Sequence, residues 1–263
     1  MNAGLVLAVA NHKGGVGKTT IAHAAAAELA RRGRRVLMVD LDPQAALTAA
    51  TGIDAAGRSL TEVIGGAMPG RLALGDVLRE IAPRLDLAPA DTSLAASELG
   101  LVQRLGRERV IARLMVDIGG LYDVVILDCP PSLGLLTVAG LVAAHGVLVP
   151  TGARASDLRA VKVFLESVEA IRADLNPALR VIGIVPTFYD ARRRHERQRA
   201  AATELAAHDV THHARDERIA ESRLHRAFHA GVGDISLISS TPPGASCRRH
   251  SASNSCCASG ANR

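Results

Sequence analysis

The run Asn11-His12-Lys13-Gly14-Gly15-Val16-Gly17-Lys18-Thr19-Thr20 follows an apolar stretch, Leu5 to Ala10, and precedes an alanine-rich helical one. Strand, glycine loop, helix is the setting of a phosphate-binding loop. Gly14, Gly15 and Gly17 allow the tight turn in which successive N–H groups converge on an anion. A helix opening near Lys18 adds its unsatisfied amides and the positive end of its dipole. Lys18 is then placed to reach the β- and γ-phosphates of a nucleoside triphosphate. The Thr19 hydroxyl is placed to ligate Mg²⁺, and the loop from Lys13 through Val16 to Thr20 lines the phosphates.

Outward from this loop, short β-rich runs alternate with helical stretches. The spacing predicts strands at 5–10, 35–40, 85–89, 123–128, 146–150 and 180–187. Helices are expected at 18–32, 72–82, 93–117, 135–144, 156–174 and 194–207. Such alternation implies an α/β P-loop NTPase fold: a doubly wound, mostly parallel sheet with helices on both faces. In that architecture the ligand lies at the carboxyl ends of the strands. The glycine-rich segment 55–75 reads as a surface connection carrying a short helix.

The 263 residues suffice for one well-buried domain. Only 2% are aromatic and none is Trp, so the core has to be packed from Ala, Val, Leu and Ile. Cys247, Cys256 and Cys257 crowd the last stretch, which argues against a disulfide framework and for a reducing, cytoplasmic setting. The first residues lead directly into a strand without a signal-peptide pattern, and no apolar run reaches the roughly 18 residues of a membrane span. The net charge of +5 is compatible with a nucleic-acid partner without demanding one. His212, His213, His225 and His229 have no carboxylate or cysteine companions in a metal-binding spacing.

Two further stretches carry acids to strand ends. In Val39-Asp40-Leu41-Asp42-Pro43-Gln44 two carboxylates one residue apart point the same way off an extended chain. In Asp123-Val-Val-Ile-Leu-Asp128 an apolar run ends in an acid, the Walker B arrangement, with Asp128 holding Mg²⁺ through water. Phosphoryl transfer to water needs a metal-shell acid and a group that orients the attacking water. Arg192, Arg193, Arg194, Arg197 and Arg199 put five arginines into eight residues, a cationic face suited to DNA phosphates without base reading. A solvated charged face is the plainer reading of the same run.

The form Lys-Gly-Gly-Val-Gly-Lys-Thr-Thr has His12 where the strict G-x-x-x-x-G-K-[ST] pattern has Gly, and an extra Lys13. With Asp40-Leu-Asp-Pro-Gln44, Asp128-Cys-Pro-Pro-Ser132 and Leu85-Asp-Leu-Ala-Pro-Ala90, it resembles the ParA/MinD family of partition ATPases from about residue 4 to residue 222. The resemblance implies ATP and Mg²⁺ as cofactors, and a Lys13 that crosses a dimer interface to the phosphates of the other subunit. It assigns Asp42 to the attacking water and places Asp40 nearer the metal shell. Cys129 to Ser132 become a switch sensing the γ-phosphate, and Pro186 and Thr187 line the adenine side. Arg215 and Arg218 join the arginines above in non-specific binding of double-stranded DNA.

The implied activity is ATP hydrolysis by an ATP-dependent homodimer on the nucleoid, stimulated by a ParB-like protein, to segregate a chromosome or plasmid. A MinD-like regulator at a membrane surface is the alternative. It calls for a C-terminal amphipathic helix, which residues 223–263 do not offer, so no stable membrane anchor is expected. Nor is an N-terminal helix-turn-helix expected ahead of the first strand. After Ser222 the likeness ends, and 239–263, with seven Ser and three Cys, reads as a disordered tail. The domains are therefore set at 1–222 and 223–263.

Overall fold

The computed structural model describes residues 4–55, 57–65, 72–118, 120–152 and 154–188. Among the described residues, seven strands form one sheet in the order β3-β4-β2-β5-β1-β6-β7. They are β1 Leu5–Val9, β2 Val36–Asp40, β3 Arg79–Ala82, β4 Leu85–Ala88, β5 Val124–Asp128, β6 Gly146–Gly152 and β7 Arg180–Thr187. All pairs are parallel except β3 with β4. The helices are α1 Lys18–Arg31, α2 Ala46–Ala50, α3 Leu60–Gly65, α4 Leu74–Val77, α5 Leu94–Leu101, α6 Val110–Asp117, α7 Leu135–Ala143 and α8 Ala155–Asp174.

Strand alternation sorts the core into two layers. Leu7, Val9, Val36, Met38 and Ile126 face α1, whose Ala22, Ala25, Ala26 and Leu29 pack on them. Alanines there let the helix axis come close to the sheet, which keeps the loop preceding α1 tight against the strand ends. Val6, Ala8, Leu37, Val39, Val125, Leu127, Val147 and Val149 face the other way, toward α3 to α8, with Phe164 fully buried among them. Most strand residues are buried on both sides, as a sheet covered on two faces requires.

The expected strands are all present, and the expected parallel sheet with them. Three details differ. Residues 72–82 hold only the single turn α4, then β3 turns back antiparallel on β4. Pro83 disfavours a helical Ala82 before it, and pairing with β4 offers the backbone its hydrogen bonds. The expected helix at 93–117 is interrupted between α5 and α6 by Gly106, at φ +66°, and a 3₁₀ turn at Arg107–Arg109. Segment 55–75 contains the expected short helix, yet α3 is no surface element: Leu60, Val63 and Ile64 are fully buried. The helix expected at 194–207, the arginine cluster and the tail 223–263 lie outside the described residues.

From β1 the chain passes to β2, leaving the slot that β5 fills, and later crosses to β6 on the opposite side of β1. The crevice of such a sheet opens where the strand order reverses, beside the carboxyl end of β1. Register places Val9 opposite Asp128, and Asp128 opposite Asp40. Phosphate loop and acids thus meet at one edge.

Candidate functional site

The loop between β1 and α1 is clamped by residues far away in sequence. Asn11, 1% exposed, donates its amide to the Pro150 carbonyl on β6 at 2.7 Å and accepts the Lys13 N–H at 3.1 Å. The Thr187 hydroxyl, at the end of β7, bonds the Val16 carbonyl at 2.8 Å and the Thr151 carbonyl at 3.1 Å. His12 sets its ring 6.3 Å from that of Phe164 on α8, so the residue that departs from the strict loop pattern braces the loop against a helix. Gly17 caps α1 at φ +85°, a conformation that costs a side-chain-bearing residue strain. The Phe188 ring lies over Gly17 with 77% of its surface exposed.

Gly14 and Gly15 are exposed at the loop crest, and Thr20 is exposed behind it. Lys18 is buried and its ammonium donates to the Lys13 carbonyl at 3.2 Å, folding the side chain back over the loop. Burial lowers its pKa, while Asp128 and Asp42 pull it back up.

The acids are not equivalent. Both oxygens of Asp40 are engaged: one accepts the Asp42 N–H at 3.1 Å, the other the Thr48 N–H at 2.9 Å and the Thr48 hydroxyl at 2.7 Å. Thr48 in turn accepts the Ala90 N–H at 2.9 Å, tying the start of α2 to the end of β4. Asp40 therefore holds the turn after β2, and to serve in a metal shell it would have to release these donors. Burial pushes its carboxyl up to about 6 against the pull of those hydrogen bonds. Asp42 uses one oxygen to accept the Gln44 N–H at 2.9 Å, closing a local turn, and its charge acts on Lys18.

Asp128 is 1% exposed, and neither of its carboxylate oxygens has a hydrogen-bond partner. Burial pushes it up to about 7, opposed by the neighbouring Thr19 hydroxyl and raised further by Asp40. The Thr19 hydroxyl lies beside Asp128 without closing a hydrogen bond in this state. A buried carboxylate without donors is a costly group, and one that a cation relieves. Asp128 and Thr19 fit Mg²⁺, which takes one or two protein oxygens and completes its shell with water and phosphate oxygens. Among the described residues no three His, Cys, Asp or Glu side chains gather into an all-protein cage.

After Asp128, the Cys129 amide donates to the Val9 carbonyl at 3.1 Å, and Thr137 caps the following turn through the Ser132 carbonyl at 2.6 Å. Pro131 faces the loop glycines, with Pro131 Cβ 3.8 Å from the position a Gly14 Cβ would take. Cys129 is fully enclosed and burial pushes its thiol far above the ordinary range, which makes it a packing residue.

Pro186 and Thr187 stand where β7 ends beside the loop. Arg192, Arg193, Arg194, Arg197, Arg199, Arg215 and Arg218 lie outside the described residues. Sequence reasoning missed Asn11 as the loop clamp, Phe188 as the aromatic over the loop, and Asp157, which ion-pairs with Lys13. Only Phe188 left a trace in sequence, as one of three phenylalanines in the chain. No helix among the described residues is long and apolar enough to cross a membrane.

Residues 4–181 match the family model AAA_31, described as an AAA domain. The chain is 41% identical over 186 residues to the chromosome-partitioning ATPase Soj of Thermus thermophilus, covering 71% of this chain and 70% of that protein. To the chromosome partitioning protein ParA of Caulobacter vibrioides it is 37% identical over 207 residues, 77% of this chain and 76% of that one. It spans 61% of the length of an uncharacterised Mycobacterium tuberculosis relative, with 40% identity over 196 residues. Among solved structures, cobyrinic acid a,c-diamide synthase of Mycobacterium smegmatis with ADP and magnesium superposes with a TM-score of 0.71 at 42% identity. That match covers 76% of this chain and 80% of the other. The ATP complex of a Cyanothece McdA variant, at 22% identity and a TM-score of 0.71, shares the fold over 80% of this chain and 82% of the other.

Proposed function

The chain belongs to the ParA/MinD family of P-loop ATPases, and from that premise we propose that it is a DNA-partitioning ATPase. ATP and Mg²⁺ are its cofactors. The observation that carries the reading is the meeting of a clamped glycine loop, the buried Lys18 and the donor-less Asp128 at one crevice. The likeness over 70–76% of the length of proteins named Soj and ParA directs that ATPase site to partition.

In this reading the amides of Gly14 to Thr20 and the Lys18 ammonium bind the phosphates, and Thr19 and Asp128 hold the metal. Mg²⁺, when bound, neutralises charge on the phosphate oxygens. Asp42 keeps one carboxylate oxygen free of backbone donors and orients the attacking water. Asp40 shapes the turn that presents Asp42. Lys13 completes the phosphate site of a second copy, so that ATP drives the sandwich dimer. Pro186 and Thr187 flank the base, with the Phe188 ring as a further apolar surface. The dimer binds DNA phosphates through Arg192, Arg193, Arg194, Arg197, Arg199, Arg215 and Arg218, and a ParB-like partner stimulates hydrolysis and release. The place of action is the cytoplasm, on the nucleoid, and residues 1–222 carry the ATPase function.

The test is retention of the purified protein on random-sequence duplex DNA with ATP, with ADP, and with ATP for Lys13→Ala. ATP-dependent retention lost in the variant is expected. Equal retention under all three conditions overturns the reading.

The likeness to cobyrinic acid a,c-diamide synthase favours a second reading, ATP-driven amide formation on a carboxylate. Cys129, the cysteine among the described residues, is too enclosed to act as a nucleophile on an amide donor. Amide product formed from cobyrinic acid in the presence of ATP and glutamine would install this reading in place of partition.

A further inference from the structure

The Lys13 side chain is engaged within its own chain. Its ammonium ion-pairs with Asp157 and lies 3.3 Å from the Ser156 hydroxyl, both in the first turn of α8. The lysine side chain keeps 35% of its surface exposed, whereas the Asp157 side chain keeps 5%. The aspartate is built into place. Its other oxygen accepts the Arg154 N–H at 2.9 Å, and it sits so close over Gly152 that a Cβ there would collide with the carboxylate.

We propose that Asp157 is a positioning residue that holds Lys13 in cis, turned away from phosphate, and so sets how much nucleotide is needed to assemble the dimer. This rests on the reading in which Lys13 serves the partner's phosphates. The carboxylate carries one charge; a bound triphosphate carries several and outcompetes it once a second subunit presents one. Lys13 is therefore the moving part, and Asp157 the fixed one. The contact biases the nucleotide-free protein toward the monomer, because part of the binding energy of ATP goes into releasing the lysine.

Asn at position 157 can still accept the Arg154 N–H but offers no charge. In sedimentation with a non-hydrolysable ATP analogue, Asp157→Asn is expected to dimerise at about tenfold lower analogue concentration than the wild type. Lys13→Ala is expected not to dimerise, and Lys13→Ala/Asp157→Asn to show no gain over it. A purely structural role for Asp157 would shift dimerisation the other way or not at all. If Asp157→Asn matches or exceeds the wild-type requirement while Lys13→Ala is defective, the cis restraint is overturned and the trans lysine stands. If Lys13→Ala dimerises as the wild type does, both are overturned.

Discussion

At the scale of single residues, Asp128 concentrates the tension in this molecule. Its carboxylate is buried without a donor, and the attraction of Lys18 does not offset the lost hydration. Both Asp128 and Asp40 have folded-state pKa values raised above those of an unfolded chain, to about 7 and about 6. The folded state then holds more protons than the unfolded one between about pH 4 and these values, so stability falls as pH rises through that window. Nucleotide-free protein should therefore lose thermal stability from about pH 4 to about pH 7, seen by calorimetry. Asp128→Asn should leave only the shallower slope that Asp40 contributes, stabilise the nucleotide-free protein at neutral pH by about 1–2 kcal/mol, and abolish hydrolysis. An unchanged slope in the variant would show that another group titrates. Spacing in the sequence placed Asp128 at a strand end, but its lack of donors depends on the packing of β1, β2 and α1 around it.

At the scale of elements, the loop owes its shape to β6, β7 and α8 as much as to its glycines. Thr187→Val removes the hydroxyl that bonds Val16 and Thr151. It should cost about 1–2 kcal/mol in chemical denaturation and weaken ATP binding more than it lowers the hydrolysis rate at saturation. Asp157→Ala loses both the ion pair and the bond to the Arg154 N–H that closes the first turn of α8. A cost of about 1 kcal/mol is expected from the lost cap, measurable by urea unfolding, and Asp157→Asn should recover most of it. The elements differed in how openly they were written. The strands, α1, α7 and α8 carry continuous apolar patterns that survive in isolation. β3 does not: Arg79-Glu-Ile-Ala82 has no decisive period, and only Pro83 hinted that a helix would stop there. Gly106 likewise signalled a break that the helical pattern on either side of it, in 93–117, concealed.

At the scale of the whole molecule, the proposed function couples nucleotide, second subunit and DNA through one loop. Mg²⁺ with ATP relieves the buried carboxylate and should raise the melting temperature, by about 2.7 kcal/mol of stabilisation at about one hundred times the dissociation constant. Asp128→Asn should lose most of that increment. DNA retention should weaken steeply with salt, because each phosphate contact releases a counterion. Replacing Arg192, Arg193 and Arg194 with Ala should flatten the plot of log affinity against log salt while leaving ATP-dependent dimerisation intact. A slope equal to that of the wild type would remove these arginines from the DNA surface.

What the sequence determined by itself is local: a glycine loop between a strand and a helix, acids at the ends of apolar runs, and the alternation that makes a parallel sheet. Each is written within a short contiguous stretch, where steric and periodic constraints act directly on the backbone. Which side chains those ends meet was settled by folding. Lys13 finds Asp157 across 144 positions, Asn11 finds Pro150 across 139 and Thr187 finds Val16 across 171. Such pairs follow from strand order and crossover, since parallel neighbours must be joined through long connections, and no local period records which residue will arrive opposite which.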